Sequence, residues 1–438
     1  MVRWMRKSGS GDCCVKFEAK VGLLMSLLNL ASRLLTLWQN KAIRTELLRG
    51  VGIVAGVGVG VVGYAYLREP LNVRLDRLTV RLPNCSGKLP PTGLRILHIS
   101  DTHFRGANWR EHAKIDCVRR ACAGLEYDLL IHTGDFLQED SGLSNVSILF
   151  DALPAPRLGA YAVFGNHDYS IYSHSEMVPR AWAKFQEEQQ ARYAMNGAGL
   201  KHGTDNWTYG NHNNNGNSNG HAGSHVELGH VELDPAEIDP AEIDKDNTTY
   251  TKVATRRVPP FTRARMLLQF GHYFANVPFD LKRTGRNDVN ALEATLAARQ
   301  VQTLHNRSVR LTDPDRGLDI YLAGVDDVVE GTPELGRTLV EIPYDAPTIL
   351  LSHNPDILGE PGIEQVDLVL SGHTHGGQVV LPLIGAAHTQ TLHLHRKEVS
   401  GYLCRGKTQV YITRGVGEGI PLRFGAAPQI TLITVLPE

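Results

Sequence analysis

The chain has 438 residues, 42% hydrophobic and 21% charged, so it can build a full core and is not a disordered or fibrous chain. A formal net charge of −1 argues against the global basic field that nucleic-acid binders use. The 6 cysteines include no C-x-x-C pair, which argues against a zinc ribbon and a thioredoxin-type site.

Residues 1–46 are basic, with Arg3, Arg6, Lys7, Lys16, Lys20, Arg33, Lys41 and Arg44 outnumbering Asp12, Glu18 and Glu46. Val21 to Leu37 predicts a helix with a Leu-rich face suited to a membrane surface, and the same pattern suits a leader. Gly50 to Leu67 then carries no charge between Arg49 and Arg68, and its eighteen residues can just span a bilayer as a helix. Tyr64 and Tyr66 would mark the interface, and Gly52, Gly56 and Gly60 give G-x-x-x-G spacings. The spacing therefore predicts a transmembrane anchor over 47–68. Gly58, Gly60 and Gly63 also spell a dinucleotide-binding turn with Asp76 downstream, but that motif needs a helix where Pro70 stands. The long basic tail favours a cytoplasmic N-terminus, which makes this a single-pass cell-membrane protein with its body on the extracytoplasmic side.

The body, 72–438, opens with strand-like alternation from Asn72 to Leu82. Apolar runs then start at Leu94, Leu129, Ala160, Ile320, Thr348 and Leu368, with helical stretches at Glu111 to Leu125 and Asp288 to Arg299. Further strands are expected at Gln409 to Thr413 and Gln429 to Leu436. This alternation predicts an α/β domain with a buried sheet. From 171 to 286 the pattern loosens into an insertion that reads as disordered or lid-like. It contains an Asn/Gly/His-rich tract at 209–223 and a DPAEI repeat at 234–243.

Five of the apolar runs end in turns of one design. They are Asp101-Thr102-His103, Gly134-Asp135, Gly165-Asn166-His167-Asp168, His353-Asn354 and Gly372-His373-Thr374-His375-Gly376. Sites in open α/β sheets form beyond the carboxyl ends of the strands, so these turns should converge on one crevice. Taken singly, each Asp, Asn or His would serve as a cap or turn residue. Together they form a mixed N/O donor set without thiolates, which suits Mn, Fe, Zn or Ni rather than Ca.

The series D-x-H, GD, GNHD, H, GHTH resembles the calcineurin-like metallophosphoesterase superfamily, over roughly Leu94 to Leu436 apart from the insertion. The phrases HISDTH, GAYAVFGNHDY, AGVDD, ILLSHNPD and DLVLSGHTHGGQV resemble its bacterial membrane-anchored phosphodiesterase branch, with Thr102 departing from the usual Leu. The resemblance implies a sandwich of two mixed β-sheets flanked by helices. It further implies two divalent metal ions: Asp101, His103 and His375 on one, Asn166, His353 and His373 on the other, and Asp135 bridging. The cations would share a hydroxide for in-line attack on phosphorus. His167 would protonate the leaving oxygen or stabilise the transition state, with Asp168 orienting its ring.

Arg105, Tyr169 and Arg423 are candidate substrate contacts. His98 and His132 read as core histidines, and His393 and His395 as alternating on one strand face. His202, His212, His221, His225 and His230 suit a solvated loop better than a metal site. The aromatic and basic stretch Phe261 to Arg286 suits either an anionic lipid surface or helix packing. The expected function is hydrolysis of a phosphodiester or pyrophosphate bond, on a lipid-linked or nucleotide-type substrate, with no nucleic-acid partner. A phosphomonoesterase or protein phosphatase, a nuclease, and a non-catalytic scaffold of the same fold are the alternatives.

Overall fold

The structure is a computed structural model that describes residues 41–83, 85–106, 108–197, 260–276 and 281–438. The basic segment 1–40, the Asn/Gly/His-rich tract and the DPAEI repeat lie outside the described residues, as do the five histidines between 202 and 230.

Helix α1 is Lys41–Gly63, and it continues through wider and tighter turns to Leu71. Among the described residues, one helix, Leu48–Leu71, is long and apolar enough to cross a membrane. Its Ile53, Val57, Val59 and Val62 side chains are exposed, whereas Glu69 and Pro70 at its foot are buried against the body. Pro70 ends the helical run, because proline has no N–H to donate.

The body then runs β1 Arg74–Leu82, β2 Leu94–Ile99, α2 Trp109–Cys122, β3 Leu129–His132, α3 Leu143–Asp151, β4 Gly159–Ala162 and the single turn α4 Asn166–Tyr169. The insertion region follows as β5 Ser170–Ser173, α5 Met177–Gly197, α6 Pro260–Asn276 and β6 Lys282–Arg286. The chain continues with α7 Val289–Ala297, β7 Val301–Thr303, β8 Arg307–Asp313, β9 Leu318–Gly324, α8 Leu335–Leu339, β10 Thr348–Leu351 and β11 Leu368–Ser371. Last come the small hairpin β12 Val380–Leu381 and β13 Gly385–Ala386, then β14 Gly401–Arg405, β15 Thr408–Ile412 and β16 Gln429–Pro437.

Two six-stranded mixed sheets form, ordered β1-β16-β2-β3-β4-β7 and β14-β15-β11-β10-β9-β8. Side chains alternate between sheet faces with period two, and the sequence obeys this on every central strand. Leu94 and Ile96 of β2, Leu129 and Ile131 of β3, Ile349 and Leu351 of β10, and Leu368 and Leu370 of β11 share one core between the sheets. The intervening residues Leu97, Ile99 and Leu130 face α2, α3 and α7. On the other sheet Leu350, Val369, Val410 and Ile412 face an outer layer that includes Leu335 and Leu339 of α8. The architecture is therefore a two-sheet sandwich with helical layers outside. Strands buried on both faces read as continuous apolar runs, which is why these segments stood out in the sequence.

The 171–286 region has defined borders. Strands β5 and β6 pair antiparallel. Trp182 and Phe185 of α5 pack on Phe270 of α6, with ring centroids 4.8 and 5.6 Å apart. Phe185 also meets Tyr273 at 5.4 Å. Helix packing thus uses Phe270 and Tyr273, two of the aromatics that also suited a lipid surface. His393 and His395 are exposed in a loop rather than on a strand face, because no partner strand lies beside 391–398.

Candidate metal centre

The carboxyl ends of β2, β3 and β4 in one sheet meet those of β10 and β11 in the other. The backbone N–H of Asp101 donates to Gly134 O at 2.9 Å, that of His103 to Asp135 O at 3.0 Å, and that of Gly372 to His353 O at 3.0 Å. Two further bonds cross between the sheets: His373 N donates to Asp101 Oδ1 at 3.0 Å, and His353 Nδ1 donates to Thr133 O at 2.7 Å. All seven donors named from the sequence are buried here: Asp101, His103, Asp135, Asn166, His353, His373 and His375.

Five of these, Asp101, His103, Asp135, His373 and His375, hold φ between 46 and 69°. Left-handed backbone costs a non-glycine residue about 1 kcal/mol or more, and it persists only where the surroundings over-determine it. Each kink turns a side chain from its strand axis toward the crevice. Two glycines make the approach possible. A Cβ on Gly165 would sit 2.3 Å from Asp135 Oδ1, and one on Gly372 would sit 2.2 Å from Asp101 Oδ2.

Asp135 is shared between two groups. Its Oδ2 lies 3.3 Å from His103 Nε2 on one side and 3.1 Å from His353 Nε2 on the other. Beyond His103, the Nε2 of His375 is 3.0 Å away, and Asp101 Oδ1 lies 3.8 Å from that same nitrogen. Beyond His353, the Nδ1 of His373 is 3.2 Å away. Asp101, His103 and His375 thus form one donor cluster, and Asp135, His353 and His373 another.

The outer partners of three rings set the tautomers. A carbonyl only accepts, so Thr133 O fixes the proton of His353 on Nδ1, and Gln390 O, 3.1 Å from Nε2, fixes that of His373 on Nε2. Gln138 Oε1, 3.0 Å from His103 Nδ1, does the same for His103. In its neutral form each ring then aims its lone pair into the crevice, as a metal ligand must. Among the described residues no acceptor does this for His375, since Arg423 Nη2, a donor, is the group 3.3 Å from its Nδ1.

The donor set fits two divalent cations on observations of the protein alone. Asp101 Oδ2 and Asn166 Oδ1 are buried without a hydrogen-bond partner. Burial holds His103 and His375 well below the usual histidine range and His373 at about 3, which keeps these rings neutral. Burial also pulls on His353, but the carboxylates of Asp135, Asp101 and Asp327 outweigh it and lift that ring to about 10. Burial would raise Asp135, yet His353, His167 and His103 together hold it well below the usual carboxylate range. The Asp135 carboxylate therefore demands positive charge at the centre, which cations supply more compactly than ring protons.

His167 stands beside His103 and Asp135. Its ring lies 4.6 Å from that of His103 and 4.9 Å from that of Tyr172, and one of its nitrogens joins the His103–Asp135 cluster. Burial lowers it to about 4. Asp168 does not orient this ring, contrary to expectation. Its Oδ2 accepts the N–H groups of Asp135 and Gly165, both at 2.9 Å, and its Oδ1 accepts that of Leu137 at 3.0 Å. Asp168 therefore positions the turn that carries Asp135. His167 is instead tethered through its backbone, where Asn287 Nδ2 donates to its carbonyl at 2.8 Å.

The substrate candidates divide. Arg105 is exposed and lines a polar cleft of about 240 Å³ with Thr102 and His103. Tyr169 is already engaged, its hydroxyl donating to Asp326 Oδ1 at 2.5 Å. Arg423 is corrected outright. It is fully buried, and its guanidinium donates to the carbonyls of Ala426, Arg414 and Gly417, so it ties the 414–426 loop together. Such a side chain cannot reach a substrate. His98 and His132 are buried core histidines, the first bonded to Thr133 Oγ1 at 2.9 Å and the second stacked on Phe136 at 3.6 Å. Sequence reasoning missed Gln138, Asn287 and the Gln390 carbonyl. The one available signal was Gln138 lying three residues past Asp135, since the other two come from distant segments.

The calcineurin-like phosphoesterase family matches residues 94–377, and the chain belongs to it. Its class is thus that of metal-dependent hydrolases acting on phosphoester bonds. Among curated relatives, the UDP-2,3-diacylglucosamine pyrophosphatase LpxG of Chlamydia muridarum is 26% identical over 383 residues, covering 84% of this chain and 91% of that protein. The uncharacterized metallophosphoesterase YkuE of Bacillus subtilis is 38% identical over 120 residues, covering 27% of this chain and 41% of YkuE. The phosphodiesterase YaeI of Escherichia coli is 30% identical over 145 residues, covering 32% of this chain and 50% of YaeI.

Proposed function

We propose that the chain is a membrane-anchored, binuclear-metal phosphodiesterase or pyrophosphatase acting on a lipid-linked substrate. The observation that carries this reading is Asp135 Oδ2 standing between His103 and His353. A single carboxylate flanked by two imidazole clusters is the arrangement two neighbouring cations require. In this reading Asp101, His103 and His375 hold one cation, Asn166, His353 and His373 the other, and Asp135 both. When bound, the cations supply Lewis acidity, activate water at neutral pH and neutralise the phosphoryl oxygens.

The protein's own groups do the rest. Buried imidazoles keep the crevice dry and the donors fixed, so little reorganisation is needed during reaction. His167, neutral in the free protein, takes up a proton beside the bound phosphoryl anion and gives it to the leaving oxygen, or stabilises the transition state. Arg105, at the polar cleft, meets the charged part of the substrate outside the crevice. The apolar helix Leu48–Leu71 supports anchoring, and the basic tail before it favours a body on the extracytoplasmic side. Likeness to LpxG over most of both chains supports a pyrophosphate bond in a lipid-linked nucleotide.

The test is a metal-dependent assay of the full-length protein in detergent, with Mn, Fe, Zn or Ni, on bis-p-nitrophenyl phosphate, p-nitrophenyl phosphate and a nucleotide-diphospho lipid. Hydrolysis of the diester or of the pyrophosphate bond is expected to exceed that of the monoester. Faster monoester hydrolysis, or metal-independent turnover, would overturn the reading.

A further inference from the structure

An apolar cavity of about 480 Å³ opens directly on the centre, within the size range of small-ligand pockets. Asp135 and His167 stand at its inner end, and Leu381, Ile384, Ile420 and Leu422 are among its walls. The outer wall is the hairpin β12–β13, joined by Pro382, Leu383 and Ile384. Leu383 and Ile384 are exposed at its tip, Leu381 beside them is partly so, and the hairpin carries no charge. Leu383 also holds a φ of 68°, where Gly or Asn would be the unstrained choice. A bulky apolar residue forced into that conformation, with none of the described residues covering it, breaks two local rules at once.

The mouth has a second apolar flank. Gly271 of α6 lines the cavity, and Leu267 and Leu268, one helical turn earlier, are exposed. What the mouth faces is indicated by adjacent residues of one loop. Arg423 N donates to Ala65 O at 2.9 Å, at the foot of the membrane-length helix, and Val380 N donates to Phe424 O at 2.7 Å. Beside this junction Arg110 lies over the Tyr66 ring at 4.6 Å. The hairpin and the apolar helix therefore hang from neighbouring residues, and the tip extends only about 10 Å beyond Val380 at strand spacing. That is the depth to which an interfacial apolar face enters a bilayer.

We infer that the Leu381–Ile384 tip is a second membrane contact, which seats the mouth of the cavity in the bilayer surface so that an acyl chain of the substrate passes from lipid into the cavity. The phosphoryl group of the same molecule then lies at the inner end, against Asp135 and His167. The ligand class is a phosphoester carrying a long acyl chain, and this rests on the hydrolytic reading above.

The test uses the full-length protein in phosphatidylcholine and phosphatidylglycerol liposomes containing lipids brominated in their acyl chains. Tryptophan fluorescence of the Leu383→Trp variant, taken as the difference from the parent, is expected to be quenched. That of Tyr344→Trp, exposed at the opposite ends of the strands, is expected to be unaffected. An unquenched tryptophan at 383, whether in water or covered by protein, would overturn the proposal. A Leu383→Asp variant, changed at the tip and outside the cavity lining, provides the second arm. Its kcat/KM on a long-acyl phosphodiester should fall about tenfold or more, equivalent to 1.4 kcal/mol, with bis-p-nitrophenyl phosphate hydrolysis unchanged. Equal losses on both substrates, or none, would also overturn it. Failure of the parent to hydrolyse any diester would instead remove the hydrolytic reading, and the quenching would still report on the tip.

Discussion

Nε2 of His353 lies 3.1 Å from Oδ2 of Asp135, although the two residues belong to different sheets of the sandwich. The carboxylate follows β3 and the imidazole follows β10, so this contact exists only when both sheets close on one core. Asp135→Asn keeps the shape and removes the charge. We expect turnover of bis-p-nitrophenyl phosphate to fall about 10³-fold or more, on the scale of losing a preorganised electrostatic group. Elemental analysis should show bound metal falling from two ions per chain to one or fewer.

The Gln138 side chain matters only through His103, whose Nδ1 it holds at 3.0 Å. Gln138→Leu should therefore weaken metal binding about 10- to 100-fold. Titrating apo-protein with Mn and following activity should shift the midpoint, and saturating metal should restore most of kcat. A loss that metal cannot restore would assign Gln138 a different role.

Gly165→Ala forces a methyl group into Asp135 Oδ1 and to 2.7 Å from His353 Cδ2. Activity should be lost with metal content, while the circular dichroism spectrum stays close to that of the parent. Gly336→Ala, in α8 with nothing within 4 Å of the added Cβ, is the matched control. It should be neutral or stabilising by up to about 1 kcal/mol, because alanine favours a helix over glycine.

His167 shares the centre but is not among the seven proposed donors. His167→Asn should lower kcat by about 10²- to 10⁴-fold, the range for a lost general acid, with metal stoichiometry unchanged. A drop in bound metal would show instead that His167 acts as a ligand.

Lys114 and Glu418 form an ion pair in which both side chains are buried. Burial lowers the lysine to about 8 despite the partner carboxylate. Between about 8 and the unfolded value of 10.5 the unfolded chain binds more protons, so stability should rise with pH across that window. Below it, the full cost of a buried ammonium remains. Lys114→Met alone strands the carboxylate and should cost about 3 kcal/mol, whereas adding Glu418→Gln should recover most of that and flatten the pH slope. Urea unfolding at several pH values reads both effects.

Much of the centre was legible because strand ends are local features. A run such as LVLS followed by Gly372 and His373 announces a buried strand, its end and the residue placed there within a few positions. The order of five such turns carried the family resemblance. Asp168 shows the limit. Its neighbour in sequence is His167, but its carboxylate serves backbone N–H groups more than thirty residues back, at 135 and 137. Arg423 shows it again, since an arginine near a phosphate site looks like a ligand until its guanidinium is seen filled by carbonyls.

By itself, the sequence determined which segments are buried strands, which residues follow them, and that an apolar stretch of membrane length precedes the body. Those properties depend on side-chain period and turn chemistry, which act over a few residues. Tertiary structure alone decided that Asp135 stands between His103 and His353, that Gln138 and Gln390 fix ring tautomers, and that the base of the hairpin at Val380 is tied through Phe424 and Arg423 to Ala65 at the foot of the apolar helix. Each of these brings together groups from distant segments, and no local pattern constrains a contact made only when two sheets pack together.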